Sequence, residues 1–178
     1  GIKDMTMYGF STENFNRSEE ERNSLFNILK KYFKELGDTK EIHDNEVKVN
    51  FLGKLSLFPE DLQEVMNETE AKTRDYKKHS LNFCVAYGGH EEITQAVNKA
   101  IELGQPVTEE TFSKLLYMNK QPDIVIRTGG AMRTSNFLPW QTAYSEWFFI
   151  PEHWPDFSKE KLVEIIALFK ERKRNFGK

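Results

Sequence analysis

The stretch LNFCVAYGG, residues 81–89, decides the fold. Its first part, Leu81–Ala86, is a continuous apolar run, which is typical of a strand buried on both faces of a parallel sheet. A Tyr-Gly-Gly segment ends the run, and a helical pattern of apolar residues follows until Gly104. A buried strand followed at once by a helix predicts one unit of an α/β fold.

Strand-like and helical patterns alternate along the rest of the chain. Apolar runs predict further strands at Met5–Phe10, which we expect to be buried, and at Val47–Leu52, Asp123–Arg127 and Trp147–Ile150. Helical spacing predicts helices after a capping box at Ser18 and Glu21, from Pro59 to about Lys78, around Phe112 to Tyr117, and after Ser158. This alternation predicts an α/β fold with a mostly parallel central sheet flanked by helices. We interpret residues 1–178 as a single domain, because no linker or repeat interrupts them.

Composition excludes several classes of protein. The net charge of −3 argues against nucleic-acid binding, which needs a basic surface. The single cysteine, Cys84, lies in an apolar run, so we expect it to be structural and the protein to be cytoplasmic. The longest apolar segment, LVEIIALF, is too short to span a membrane and carries Glu164.

Polar and glycine-rich segments follow three of the predicted strands. STENFNR (residues 11–17) follows the first strand, YGGHEE (87–92) the third and RTGGAMRTSN (127–136) the fourth. In open parallel sheets, ligands bind beyond the carboxyl ends of the strands. The sequence therefore predicts a ligand site at this edge of the sheet.

The segment from Arg127 to Asn136 is the most informative of the three. Its two arginines and its glycine-exposed backbone amides suit phosphate oxygens, and the apolar residues after it suit a hydrocarbon. Other readings stay open for the remaining polar residues. Asn14 and Arg17 can be turn and surface residues before a helix, and Glu146 can face solvent from a sheet edge.

The segments FSTENFNRS, LNFCVAYGG, RTGGAMRTSNFLPWQTAYSEWFF and WPDF together resemble the cis-prenyltransferases, the undecaprenyl diphosphate synthase family. The resemblance covers essentially the whole chain. It implies an enzyme that condenses isopentenyl diphosphate with an allylic prenyl diphosphate, forms Z double bonds and uses Mg2+. It also implies a hydrophobic tunnel for the growing chain, a homodimer or heterodimer, and peripheral membrane contact on release of the lipid product.

The resemblance also implies roles for particular residues. It assigns diphosphate binding to Arg127, Arg133, Ser135 and Arg17, proton removal and substrate positioning to Ser11, Asn14 and Arg17, and Mg2+ binding to Glu146. The tunnel would be lined by residues such as Leu81 and Phe83, with the helix that begins near Ser18 as one wall. We expect that removing the charge of either Arg127 or Arg133 will weaken substrate binding more than it lowers stability.

The chain departs from the family pattern in three places. The aspartate motif of the family, DGNxRW, would lie upstream of Gly1, so we expect further residues there and expect the partner of Glu146 for Mg2+ to be among them. Without that aspartate, we expect the chain to bind isopentenyl diphosphate but to form no product. Ala131 and Met132 stand where many members have Glu and His, and Asn175 stands where members have an arginine that reaches the partner subunit. A non-catalytic partner subunit or isoprenoid-binding protein of the same fold is therefore the alternative function.

The segment WQTAYSEWFFIPEHW is unusually aromatic. An exposed patch of this kind usually marks an interface. We therefore predict that the protein dimerises through the region from Tyr144 to Phe149 and the neighbouring helix.

Overall fold

The computed structural model describes residues 1–172. The chain forms two compact units, Gly1–Gln95 and Ala96–Lys178. The interpretation of the whole chain as one domain stays a prediction. The predicted departure at Asn175 lies outside the described residues.

The first unit is built around a three-stranded parallel sheet. Its strands are β1 (Asp4–Ser11), β2 (Val47–Leu52) and β3 (His79–Tyr87), and they lie in the order β1-β3-β2. Its helices are α1 (Glu19–Asp38), α2 (Lys40–Asp44) and α3 (Glu60–Thr73), and α4 (Gly89–Leu103) begins in this unit and ends in the next. The prediction of β3 as a buried strand of a parallel sheet is confirmed, and this strand lies at the centre of the sheet.

Helix α1 begins as its sequence predicts. The Ser18 hydroxyl accepts a hydrogen bond from the Glu21 amide at 3.3 Å, which caps the first turn. The Glu21 carboxylate pairs with Arg17 at 3.1 Å, so the side-chain half of the predicted capping box does not form.

An aromatic core joins α1 and α3 to one face of this sheet. Its buried members include Phe10, Phe26, Phe33, Phe51, Phe58, Leu62 and Met66. The rings of Phe33 and Phe51 lie 4.6 Å apart in an edge-to-face arrangement, which contributes about 0.5–1.5 kcal/mol beyond the buried area. Leu81 and Phe83 pack against this core, and the Phe83 ring lies 5.3 Å from Phe33. These rings are in contact with one another, and the hydrophobic tunnel stays a prediction.

Strand β1 is less buried than its apolar sequence predicts. Only Phe10 is buried in this strand, and Met5 keeps 41% of its surface exposed. The physical reason is the strand order, because β1 lies at an edge of the three-stranded sheet. An apolar run does not show which strand occupies the edge.

The second unit contains a separate two-stranded parallel sheet. Strands β4 (Ile124–Arg127) and β5 (Glu146–Phe149) pair in parallel, so the five described strands form two sheets rather than the single sheet that we predicted. The parallel α/β class itself is confirmed. Helices α5 (Glu109–Ser113) and α6 (Lys159–Glu171) complete this unit.

Side-chain caps fix the helices of the second unit. Ser158 begins α6 as predicted, since its hydroxyl accepts a hydrogen bond from the Lys161 amide at 3.1 Å. Helix α5 begins earlier than predicted, because the Thr108 hydroxyl accepts from the Thr111 amide at 3.2 Å. Helix α6 packs on the small sheet through a core of Phe148, Ile150 and Ile165.

Two further expectations concern the role of Cys84 and the length of the apolar helices. Cys84 is buried in β3, and burial, with a smaller effect from Glu92, raises the pKa of its thiol. The thiol therefore stays protonated and unreactive, which confirms a structural role. Over residues 1–172, none of the helices combines the length and the apolar character that crossing a bilayer requires.

Candidate active site

A short 3-10 turn, Thr12–Asn16, carries the first group of predicted site residues at the end of β1. The Ser11 amide donates to Asn14 Oδ1 at 2.8 Å, so a local bond brings these two residues together. Phe15 in the same turn packs into the core, with its ring 5.1 Å from Phe10. This apolar anchor fixes the turn while Ser11 and Asn14 stay half-buried at the surface.

Arg17 follows this turn and is exposed. Its Nη1 atom pairs with Glu21 Oε1 at 3.1 Å, with side chains 46% and 56% exposed. An exposed pair of this spacing contributes only about 0.3–0.5 kcal/mol. Hydrogen bonds from an arginine to a diphosphate are charge-assisted and often bidentate. A bound diphosphate can therefore displace Glu21 from Arg17.

Arg22 was missed by the sequence analysis, although it stabilises the same turn. Its Nη1 atom donates to the carbonyls of Phe15 and Arg17, each at 2.9 Å. The sequence contains no signal for this contact, because an arginine in the first turns of a helix is usually a solvated surface residue.

The carboxyl end of β3 is fixed beside the turn. Tyr87 and Glu92 are fully buried, and the Tyr87 hydroxyl donates to Glu92 Oε2 at 2.5 Å. Tyr87 is the register partner of Ser11, and its carbonyl accepts a hydrogen bond from the Tyr8 hydroxyl at 3.3 Å. Burial, together with the Glu13 carboxylate, raises the pKa of Tyr8 to about 12, so that hydroxyl keeps its proton.

Arg127 closes β4 and organises the loop that follows. Its Nη1 atom donates to Ser135 Oγ at 2.7 Å and to the Arg133 carbonyl at 2.5 Å. The structure thus brings Arg127 to the Ser135 side chain and to the backbone of Arg133, and the roles of these residues in diphosphate binding stay predictions. The side chain of Arg133 is exposed and makes no hydrogen bond or ion pair within residues 1–172.

The loop backbone is left-handed at several positions. The φ angles are +84° at Gly129, +72° at Gly130, +49° at Ser135 and +62° at Asn136. For a residue with a side chain, this conformation costs of the order of 1–2 kcal/mol, and such strain is concentrated at functional sites. The hydrogen bond from Arg127 holds Ser135 in this conformation.

The glycine amides do not provide the phosphate donors that the sequence predicted. The Gly129 amide donates to the Glu152 carbonyl at 2.8 Å, and the Gly130 amide donates to the Ile150 carbonyl at 2.9 Å. Each amide has one hydrogen, which is used here. These bonds instead bring residues 150–153 alongside the loop, so that a Cβ at Gly129 would lie 3.5 Å from His153 Nδ1. The sequence analysis missed His153.

Glu146 lies at the other end of the two-stranded sheet. It opens β5 opposite Ile124, whereas Arg127 is paired with Phe149. Three residues along a strand correspond to roughly 10 Å. The structure therefore does not bring Glu146 next to the arginine and serine group with which the sequence analysis associated it.

The carboxylate of Glu146 is already engaged by an arginine. Its Oε2 atom lies 2.5 Å from Arg172 Nη1, and the guanidinium group lies 4.2 Å from the ring centre of Phe148. Between residues 1 and 172, no group of three or more His, Cys, Asp or Glu side chains is placed to hold a metal ion. Mg2+ requires near-octahedral oxygen coordination. The binding of Mg2+ by Glu146 stays a prediction.

These features can be compared with known proteins. A prenyltransferase family model, described as undecaprenyl diphosphate synthase, matches residues 1–177. The chain belongs to this family. The tritrans,polycis-undecaprenyl-diphosphate synthase (geranylgeranyl-diphosphate specific) of Thermococcus kodakarensis is 41% identical over 186 residues, which cover 99% of this chain and 70% of that protein.

Solved structures of the family agree with this assignment. A probable undecaprenyl diphosphate synthase from Campylobacter jejuni superposes with a TM-score of 0.92 at 31% identity, over 99% of this chain and 84% of that one. Lavandulyl diphosphate synthase from Lavandula x intermedia, solved with dimethylallyl diphosphate, gives a TM-score of 0.91 at 33% identity, over 99% of this chain and 80% of that one. The predicted fold and the predicted class of enzyme, a prenyl transferase, are confirmed. The roles of individual site residues stay predictions.

Proposed function

We propose that this prenyl transferase condenses isopentenyl diphosphate with an allylic prenyl diphosphate to give a Z-polyprenyl diphosphate, as in the synthesis of isoprenoid carrier lipids. The proposal rests on the arrangement of the loop after β4. In this loop Arg127 donates to Ser135, whose backbone is left-handed, and the guanidinium of Arg133 is exposed. Support comes from two relatives, one named for geranylgeranyl diphosphate and one solved with dimethylallyl diphosphate.

The proposed reaction explains why these residue types are needed. The C–O bond of the allylic diphosphate breaks, and the diphosphate leaves with the electron pair. The alkene of isopentenyl diphosphate attacks the resulting cation, and loss of a proton forms the new double bond. Fixed cationic groups stabilise diphosphate charge, and positioning of the two substrates provides much of the remaining rate enhancement. Exclusion of water limits capture of the cation.

Each group of side chains has a part in this proposal. Arg133 and Ser135 bind the diphosphate of isopentenyl diphosphate, while Arg127 holds the loop in shape. Asn14 uses its Oδ1 atom to accept from the Ser11 amide, and in this proposal its amide nitrogen donates to substrate. Arg17 exchanges Glu21 for a phosphate oxygen. Dependence on Mg2+ and a metal role for Glu146 belong to the proposal and rest on the family resemblance alone.

The activity test uses the natural protein. Labelled isopentenyl diphosphate, Mg2+ and one of three allylic primers, dimethylallyl, farnesyl or geranylgeranyl diphosphate, are expected to give a labelled lipid that butanol extracts. Matched controls lack the primer or contain EDTA, and both are expected to give no product. Binding of isopentenyl diphosphate without product from any primer would favour the alternative, a non-catalytic partner subunit.

We also propose that the protein acts as a dimer, with peripheral membrane contact on product release. Tyr144 is 63% exposed, which supports an interface there, whereas Phe148 is buried within its own unit. The contact surface would therefore centre on Tyr144 rather than extend over the whole aromatic segment. Light scattering at micromolar concentration is expected to give the mass of a dimer, and a monomeric mass would contradict the proposal.

A further inference from the structure

We infer that His153 is a further ligand of the diphosphate that binds to residues 127–136, which we call the site loop. The inference rests on the proposed function, since it adds one contact to the same site. The two glycine amides of the site loop donate to the carbonyls of residues 150 and 152, so they hold residues 150–153 in place rather than bind an anion.

The position of His153 follows from those two bonds. The carbonyls of Ile150 and Glu152 accept from Gly130 and Gly129, so the next residue, His153, comes to lie against the loop backbone. A side chain at Gly129 would bring its Cβ within 3.5 Å of His153 Nδ1 and 3.8 Å of Cε1. These are ordinary van der Waals distances, so the imidazole ring lies directly against the backbone of the site loop at Gly129.

The site loop needs donors beyond those within itself. The Nη1 atom of Arg127 already donates to the Ser135 hydroxyl and to the Arg133 carbonyl. The amides of both glycines already donate to the carbonyls of residues 150 and 152. Arg133 is one exposed cation at the loop. A diphosphate has several oxygen atoms and more than one negative charge, so a donor on the opposite wall of the loop would improve its coordination.

His153 has the chemistry for this contact. A histidine ring carries at least one N–H donor in either protonation state. The ring is exposed and makes no hydrogen bond or ion pair within residues 1–172. Nδ1 is the nitrogen nearest Gly129, and in the inferred contact Nε2 donates to the diphosphate. The adjacent carboxylate of Glu152 is paired with Lys161 at 3.4 Å, so its charge is offset.

Two variants distinguish a donor from a packing residue. His153→Gln keeps an N–H donor at a similar reach, whereas His153→Phe keeps a ring against Gly129 but has no donor. A hydrogen bond to a charged group supports an expected loss of about tenfold in affinity for isopentenyl diphosphate in His153→Phe and His153→Ala. His153→Gln is expected to stay within about threefold of wild type. Titration calorimetry of the natural protein with isopentenyl diphosphate measures each value.

The control is Lys114→Ala, which removes an exposed charge outside the site loop, paired with Glu110 at 2.7 Å, and should leave affinity unchanged. Normal binding by His153→Phe with weak binding by His153→Gln would show a packing role and overturn the inference. Normal binding by His153→Ala would also overturn it, and the proposed function would stand if Arg133→Ala still binds weakly. Normal binding by both His153→Ala and Arg133→Ala would instead show that diphosphate does not bind at the site loop, and would contradict the proposed function.

Discussion

Replacing Gly53 with alanine is expected to destabilise the first unit by about 3–5 kcal/mol. The φ angle of Gly53 is +141°, which residues with side chains rarely adopt. The new Cβ would also lie 2.0 Å from the Val85 carbonyl oxygen and 2.9 Å from that of Ala86. Both oxygens belong to the backbone of the central strand, so the clash can be relieved only by moving the backbone at Gly53 and β3 apart. Urea unfolding followed by circular dichroism should show a much lower midpoint.

Gly104→Ala is the matched control for this prediction. Gly104 also has a positive φ angle, +63°, but a Cβ added there would have no heavy atom within 4 Å. Conformational strain alone should therefore cost about 1–2 kcal/mol there. Equal losses of stability in the two variants would contradict the role of the close backbone approach at Gly53.

The close contact between Gly53 and β3 lies next to a candidate site residue. The Lys54 amide donates to the Ala86 carbonyl at 3.1 Å, and Ala86 itself has a φ angle of +46°. The next residue, Tyr87, is the register partner of Ser11. The residues after β2 therefore hold the strained end of β3 on one side. On its other side, this end of β3 pairs with Ser11 and so positions the turn that follows β1.

The strands were the most predictable part of the fold. β2 was predicted at its observed bounds, because VKVNFL alternates with the period of a strand. β4 and β5 were predicted within one residue, because their apolar runs are too short for a typical helix. The exposed edge position of β1 was not predictable, since the order of strands in a sheet is a tertiary property. The division into two sheets escaped the prediction for the same reason.

The candidate site was predictable by residue type but not by the bonds that those residues make. The spacing of Arg127, Arg133 and Ser135 indicated one polar loop, and in the structure Arg127 donates to the Ser135 hydroxyl and to the Arg133 carbonyl. Nothing in the spacing shows that the glycine amides would be used by the chain itself. His153 comes next to Gly129 only through those bonds, so its proximity has no local signal.

Replacing Arg133 with alanine is expected to weaken binding of isopentenyl diphosphate by roughly ten- to a hundredfold. Hydrogen bonds to charged groups contribute about 1.5–3 kcal/mol, and an exposed arginine can donate two of them to a diphosphate. The Arg133 side chain makes no hydrogen bond or ion pair within residues 1–172, so the unfolding midpoint should stay nearly unchanged. Arg133→Lys, which keeps the charge but loses the planar fork, should bind with intermediate affinity.

Arg127→Ala is expected to lower stability as well as affinity, unlike Arg133→Ala. Its Nη1 atom donates to Ser135 Oγ and to the Arg133 carbonyl, so the variant should lose both affinity and about 1–3 kcal/mol of stability. Lys114→Ala, which removes an exposed charge paired only with Glu110 in the same unit, is the charge control and should bind normally. Calorimetry and urea unfolding of all three alanine variants separate the two roles. Unchanged affinity in Arg133→Ala would exclude this loop as the diphosphate site, and unchanged stability in Arg127→Ala would mean that the loop keeps its strained conformation without that arginine.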